Sequence, residues 1–301
     1  MIKKFSYFFL LIFFTVSQSS SGQDFAIDGI TGISFSESDQ DYTAQITDDF
    51  TAYGLEIAPE NLSLSYSNSD NSFSISGAVS VSIEGDLVSS NIDFNIINKI
   101  VDHILFDVSS VFTLKGLQIE PVDLGFEWDT SNDYFKMYGT LNSTLETNVI
   151  NLSLGSSDAP GLTITNGVLN SIETTVTADF SFADITFTPT DLTFLYNKSS
   201  DLFEMYGGAD TSFDGESISV SLGASDSPGL EYKDSVVDKI NMGVSSDFTI
   251  KDLEIEPTDL TFEYDTSATS YKIYGSLKSL LEGNEIELQL GDATTPGLVI
   301  E

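Results

Sequence analysis

FTIKDLEIEPTDLTFEYDTSATSYKIYGSLKSLLEGNEIELQLGDATTPGLVIE occupies residues 248–301, and the chain writes this stretch more than once. Copies begin at Phe112 and Phe180, and a shortened one begins at Phe50. Pro121, Pro189 and Pro257 fall at one fixed spacing, as do Tyr138, Tyr206 and Tyr274, and Gly155, Gly223 and Gly291. A fixed period without insertions marks a tandem array. The Phe50 copy keeps the frame through Pro59, Tyr66 and Gly77, then lacks the loop that reads LGSSDAPGL at 154–162. The resulting division is a signal segment at 1–22, worn leading strands at 23–49, a shortened repeat at 50–111, full repeats at 112–179 and 180–247, and an incomplete one at 248–301.

Inside a repeat, apolar residues recur at every second position. Leu260, Phe262 and Tyr264 alternate with Thr261 and Glu263, and Ile286, Leu288 and Leu290 alternate with Glu287 and Gln289. This period belongs to half-buried strands. Asn166-Gly167 is a two-residue hairpin signal, and Glu84-Gly85 aligns with Glu282-Gly283 as a second turn. Glu256-Pro257-Thr258-Asp259 reads as a further turn, because Pro fixes φ and Asp can close it. The column Gly54, Gly116, Asp184, Asp252 lies where the alternation changes parity and reads as a β-bulge. Residues 91–105 carry a 3-4 apolar spacing compatible with a helix, yet they align with strand positions at 237–240. The expectation is all-β: about five antiparallel meander strands per repeat, in an elongated array of sandwich-like or curled-sheet modules. The last repeat stops inside a hairpin, which leaves an unpartnered strand edge and suggests a longer array.

The N-terminus reads MIKKFSYFFLLIFFTVSQSSSGQ. Lys3 and Lys4 precede a short apolar run from Phe8 to Val16 and then small residues up to Gly22. That order is a signal peptide, with a cut expected before Gln23, and it implies a secreted or bacterial cell-surface protein. No later segment is apolar enough to cross a membrane as a helix. There is no cysteine, and 47 acidic residues against 11 basic ones give a formal charge of −36. All the basic residues are lysines. Such a surface repels nucleic acid and lacks the bidentate phosphate ligand arginine provides. The expected partner is instead a surface or matrix ligand of unknown identity.

Enzymatic groupings are sparse. His103 is the single histidine and aligns with Ser171 and Lys239, a variable column. Zinc and iron sites need more His and Cys than the chain has, and no G-x-S-x-G occurs. No catalytic residue and no cofactor is expected, Ca²⁺ excepted. The candidates for Ca²⁺ are Asp129 and Asp133 in one loop, and Asp158, Asp226 and Asp292 in another, because hard cations take carboxylate and carbonyl oxygens. Two aromatic columns run through the repeats. Tyr66, Trp128, Tyr196 and Tyr264 share the parity of the core. Tyr138, Tyr206 and Tyr274 have the opposite parity and are candidates for glycan stacking.

The PGL start, the L-x-F-x-Y strand and the strand from Tyr271 to Gly275 resemble tandem β-repeat modules in giant secreted or surface proteins of environmental bacteria, a family of unknown function. The resemblance covers nearly everything after residue 22. It implies a non-enzymatic structural spacer or adhesive stalk, and it carries no functional residues across. The alternatives are a glycan-binding or a lipid-binding β-repeat module, the second using a curled sheet with an apolar trough.

Overall fold

The structure is a computed structural model that describes residues 24–145, 148–182, 185–213, 216–233, 236–250, 253–265, 270–281 and 283–300. The expected signal segment, and Asp184 and Asp252 of the parity column, lie outside these residues.

The described chain is all-β, and one antiparallel meander runs through it. Its ladder positions, in chain order, are β1 (Tyr42–Ile46 with Phe50–Ala52), β2 (Leu55–Ser67), β3 (Ser72–Ile83), β4 (Asp86–Ile97) and β5 (Ile100–Asp107 with Phe112–Leu114). Then come β6 (Leu117–Asp129), β7 (Tyr134–Leu145), β8 (Asn148–Ser153 with Leu162–Thr165) and β9 (Val168–Val176 with Phe180–Phe182). The third repeat supplies β10 (Ile185–Asn197), β11 (Leu202–Phe213), β12 (Glu216–Ser221 with Leu230–Lys233) and β13 (Val236–Val244 with Phe248–Ile250). The last gives β14 (Leu253–Asp265), β15 (Ser270–Leu281) and β16 (Asn284–Gln289 with Leu298–Ile300). A repeat therefore contributes four ladder positions, not five strands, because several positions are filled by two half-strands. The LGSSDAPGL loop is what splits β8; β4, which lacks it, is an unbroken strand, and residues 91–105 form strand, not helix.

No linker separates the repeats. β9 pairs with β10 through Ile172↔Tyr196, and β13 with β14 through Ile240↔Tyr264, so the sheet passes from one repeat to the next by ordinary ladder bonds.

Two sequence expectations exchange places. Gly54 and Gly116 are not in bulges. With Tyr53 and Lys115 they form two-residue turns in which both residues have positive φ (48° and 82°, 52° and 79°), the hairpin geometry that matches strand twist. The bulge sits instead at the Pro column, which was expected to turn. Register skips one residue between Pro59 and Asn61, Pro121 and Asp123, Pro189 and Asp191, and Pro257 and Asp259. Proline has no N–H for the ladder, and a bulge is where a strand interior tolerates it. Opposite each bulge stands a glycine with φ between 107° and 136°. A Cβ on Gly139 would lie 2.0 Å from the Asp123 carbonyl oxygen.

The bulge flips the inward parity within a single strand. In β6, Leu117 and Ile119 are buried before it, and Phe126 and Trp128 after it. The inward face is then continuous, and Phe73, Ile75, Phe94, Phe135 and Phe194 are essentially inaccessible to water.

One sheet cannot cover its own apolar face unless it curls, and the turns show how it does. The β1–β2 turn meets the β6–β7 hairpin at Trp128 and the β8–β9 turn at Asn166. The β3–β4 turn meets the β8–β9 and β10–β11 ends through Leu169 and Lys198. The β5–β6 turn lies by Asp201 of the β10–β11 turn and by Lys233 at the end of β12. Each of these three turns is thus seated between two strand ends of the opposite rim, five and seven ladder positions further on. The ribbon comes round on itself after about six positions, a closure narrow enough for side chains to fill. The sheet is a coil whose successive turns abut along a seam. At its first end the segment 24–36 closes the interior: Phe25 and Phe35 stack on each other and both pack on Phe73, at 5.5 and 5.4 Å.

Candidate functional site

The seam is where residues distant in sequence are held in defined geometry. Tyr53 lies flat on Trp128, ring centroids 3.9 Å apart and planes 12° from parallel. Beside them the backbones of Gly54 and Asn166–Gly167 approach so closely that a Cβ on Gly54 would stand 2.5 Å from the Asn166 Cα. One repeat on, the same contact is built from different chemistry. Glu84 takes a hydrogen bond from the Leu169 N–H at 3.0 Å and an ion pair from Lys115 at 2.5 Å, with Lys198 at 3.5 Å. Lys198 also donates to the Leu169 carbonyl at 2.7 Å. Burial pushes the Glu84 carboxyl up, but Lys115, the Leu169 N–H and Lys198 outweigh it, and the pKa falls below the ordinary value. Lys115 stands over the Tyr196 ring, whose hydroxyl donates to Asp201; burial and that carboxylate raise the tyrosine's pKa. A polar cleft of about 200 Å³ opens here between Lys115, Gly116, Asp201, Phe203, Tyr232 and Lys233. These groups tie coil turns together. Sequence reading placed Glu84 only in a turn and did not single out Tyr53 or Lys115, because their partners lie in other repeats and no motif marks them.

Asp129 and Asp133 share one turn, where the Asp133 N–H donates to the Asp129 carbonyl at 3.0 Å, and the other calcium candidates lie in loops of their own repeats. Asp129 closes its own hairpin by accepting from the Ser131 and Asn132 N–H groups at 2.9 and 3.1 Å and pairing with Lys136 at 3.2 Å. Burial raises its pKa; the Asn132, Ser131 and Lys136 contacts more than reverse that. Asp133 is an exposed turn residue with φ of 56°. Asp158 and Asp226 are exposed in the loops that split β8 and β12. Asp292 accepts from the hydroxyls and N–H groups of Thr294 and Thr295, which hold its pKa at about 2. Among the described residues, no group of three or more His, Cys, Asp or Glu could hold a metal ion.

The second aromatic column lies on the outer face, half-buried, as its parity implied. Tyr138 lies across Gly125, its cross-strand partner, where a Cβ would meet the ring at 2.5 Å. Such a ring shields a glycine that leaves the sheet bare. Tyr274 donates to Glu263 at 3.2 Å, and Tyr206 stands opposite Thr193. Burial, then the neighbouring Glu127 or Glu263, raises the pKa of Tyr138 and Tyr274. Trp128, Tyr196 and Tyr66 of the other column are buried in the core.

His103 sits on the outer face of β5 with Nδ1 2.8 Å from Asp102 and Nε2 3.6 Å from Asp93. Nε2 has no hydrogen-bond partner among the described residues.

Comparison with protein-family models, curated proteins and solved structures finds no match for this chain. No helix among the described residues is long and apolar enough to cross a membrane.

Proposed function

We propose that this chain is a non-enzymatic, secreted or cell-surface spacer whose length is set by the number of repeats. The observation that carries this reading is the unbroken ladder across repeat boundaries, with β9 on β10 and β13 on β14. Beads joined by linkers would bend between repeats; a continuous sheet with a locked seam does not. The interior supports the same reading over lipid carriage, since large side chains such as Phe73, Phe94, Phe135 and Phe194 fill it. The charge of −36 keeps neighbouring copies apart, as suits an extracellular rod. Repeat proteins of this kind gain stability from nearest-neighbour contacts and grow in one dimension.

Small-angle scattering of the purified chain tests the proposal. A compact body of this length would have a radius of gyration of about 19 Å. A rod gives a clearly larger value and a linear cross-sectional Guinier region. A value near 19 Å without that region overturns the spacer reading.

A further inference from the structure

We propose that Asn166 is a site of self-modification: its side-chain amide is lost through a succinimide, and the isoaspartate that results unlocks the seam between the first and second turns of the coil. The proposal goes beyond the spacer reading and does not need it. Asn166-Gly167 is the one Asn-Gly pair in the chain. It makes the two-residue turn between β8 and β9, with φ of 52° and 74°, a geometry that favours these two residues. The equivalent residues of the neighbouring repeats are Asn98-Lys99 and Asp234-Ser235, so the feature is confined to one seam contact.

The pair is open to the reaction. Asn166 is exposed, and its side chain makes no hydrogen bond among the described residues. The amides of Asn68, Asn71 and Asn132, in other turns of the same rim, instead donate to the Asp39 carbonyl, to Asn98 and to Asp129. The Gly167 N–H has no backbone acceptor among the described residues, and glycine presents no side chain to obstruct attack. The Gly167 nitrogen closes on Asn166 Cγ, the Cγ–Nδ2 bond breaks, and the amide NH₂ leaves as ammonia with the Gly167 proton. Water then opens the ring. Opening at the side-chain carbonyl gives aspartate; opening at the main-chain carbonyl gives isoaspartate, whose backbone runs through Cβ and Cγ. Ring closure requires the Asn166 ψ to rotate, and exposed turns reach such states by local opening.

Position sets the consequence. A Cβ on Gly54 would stand 2.5 Å from the Asn166 Cα, and one on Gly167 would stand 2.3 Å from the Gly54 carbonyl oxygen. A contact without room for one carbon cannot take the backbone carbon that isoaspartate adds. Gly54 then moves away, and Tyr53 with it. The Tyr53 ring lies on Trp128 at 3.9 Å between centroids, and Trp128, the chain's one tryptophan, is 7% exposed. Loss of that cover brings water to the indole. Ordinary aspartate adds a charge but no backbone atom, and it leaves the contact in place.

The test ages the full chain in neutral buffer beside a synthetic peptide of residues 160–172, which serves as the clock. Peptide mapping by mass spectrometry follows the Asn166 amide, enzymatic carboxyl methylation detects isoaspartate, and fluorescence follows Trp128. The expected result is conversion of Asn166 in the folded chain, isoaspartate at that position, and an emission shift to longer wavelength that grows in step with it. Asn166→Gly keeps the left-handed backbone and removes the amide, so its emission should stay constant over the same period. Fresh Asn166→Asp carries the charge alone and should show the parent's emission. A folded chain that keeps its Asn166 amide while the peptide converts fully overturns the proposal. So does a chain containing isoaspartate at 166 whose emission and melting temperature match the fresh protein, or an equal emission shift in aged Asn166→Gly.

Discussion

The ring of Tyr53, in the first turn of the coil, lies on Trp128, at the end of a strand five ladder positions later, at 3.9 Å between centroids. Hydrogen-bonded pairing cannot account for that proximity, because the two strands are not neighbours in the ladder. It follows only from the sheet coming round on itself.

If the seam is a real source of stability, the two rings are energetically coupled. Aromatic pairs contribute about 0.5–1.5 kcal/mol beyond their buried area. A double-mutant cycle of Tyr53→Leu and Trp128→Leu in urea melts should return a coupling in that range. Additive effects, within about 0.3 kcal/mol, would remove this contact from the account.

The Glu84 carboxylate gives the seam an acid dependence. Its folded pKa lies below its unfolded one, through the outweighing of burial by Lys115, the Leu169 N–H and Lys198. Its contribution is therefore complete above the ordinary value of 4.5 and fades as pH falls through the lower folded value. Glu84→Gln should lower stability at pH 7 by about 1.5–3 kcal/mol, the range for hydrogen bonds to a charged group. The variant should also lose less stability than the parent between pH 6 and about pH 3. Parallel pH profiles for the two would show that the carboxylate is not engaged.

Glycines in this chain should separate by backbone conformation. Gly139 has φ of 107° and a carbonyl 2.0 Å from any Cβ, so Gly139→Ala should cost well over about 1 kcal/mol. Gly243 lies in β13 with open space at its Cβ and no positive φ. Gly243→Ala should be neutral or stabilising by up to about 1 kcal/mol, since alanine lowers the entropy of the unfolded chain. Thermal melts that rank the two variants the other way would contradict the bulge geometry.

Much of this architecture was legible in the sequence. The fixed spacing of Pro121, Pro189 and Pro257 marked the repeat, and the alternation of Leu260, Phe262 and Tyr264 marked strands. Turn and bulge came out exchanged for a physical reason. Phe112 and Leu114 and then Leu117 and Ile119 differ in parity because a two-residue turn reverses the chain, placing Phe112 across from Ile119 and Leu114 across from Leu117. A bulge shifts parity in the same way, so parity alone cannot separate them. The chemistry of Pro121 pointed to a turn, but a long ladder on both sides overrode that local preference. The seam was not legible at all. Tyr53 and Lys115 are equivalent positions with unrelated side chains, and what preserves the contact between repeats is the curl of the sheet. The outward parity of Tyr138 and Tyr274 was readable, whereas their hydrogen-bonded and cross-strand packing required the register.

The most direct measurement of the central idea, length set by repeat number, removes one repeat. Deleting 180–247 joins Asp179 to Phe248 in phase, just as Asp247 precedes Phe248 in the intact chain. It keeps equivalent partners along the seam, with Tyr264 in place of Tyr196 opposite Lys115. The shortened chain should fold cooperatively, and its scattering-derived length should fall by about a quarter. Deleting 180–213 instead leaves strands out of register and should give an aggregating product. Identical behaviour of the two deletions, or a shortened chain whose length does not change, would contradict the account.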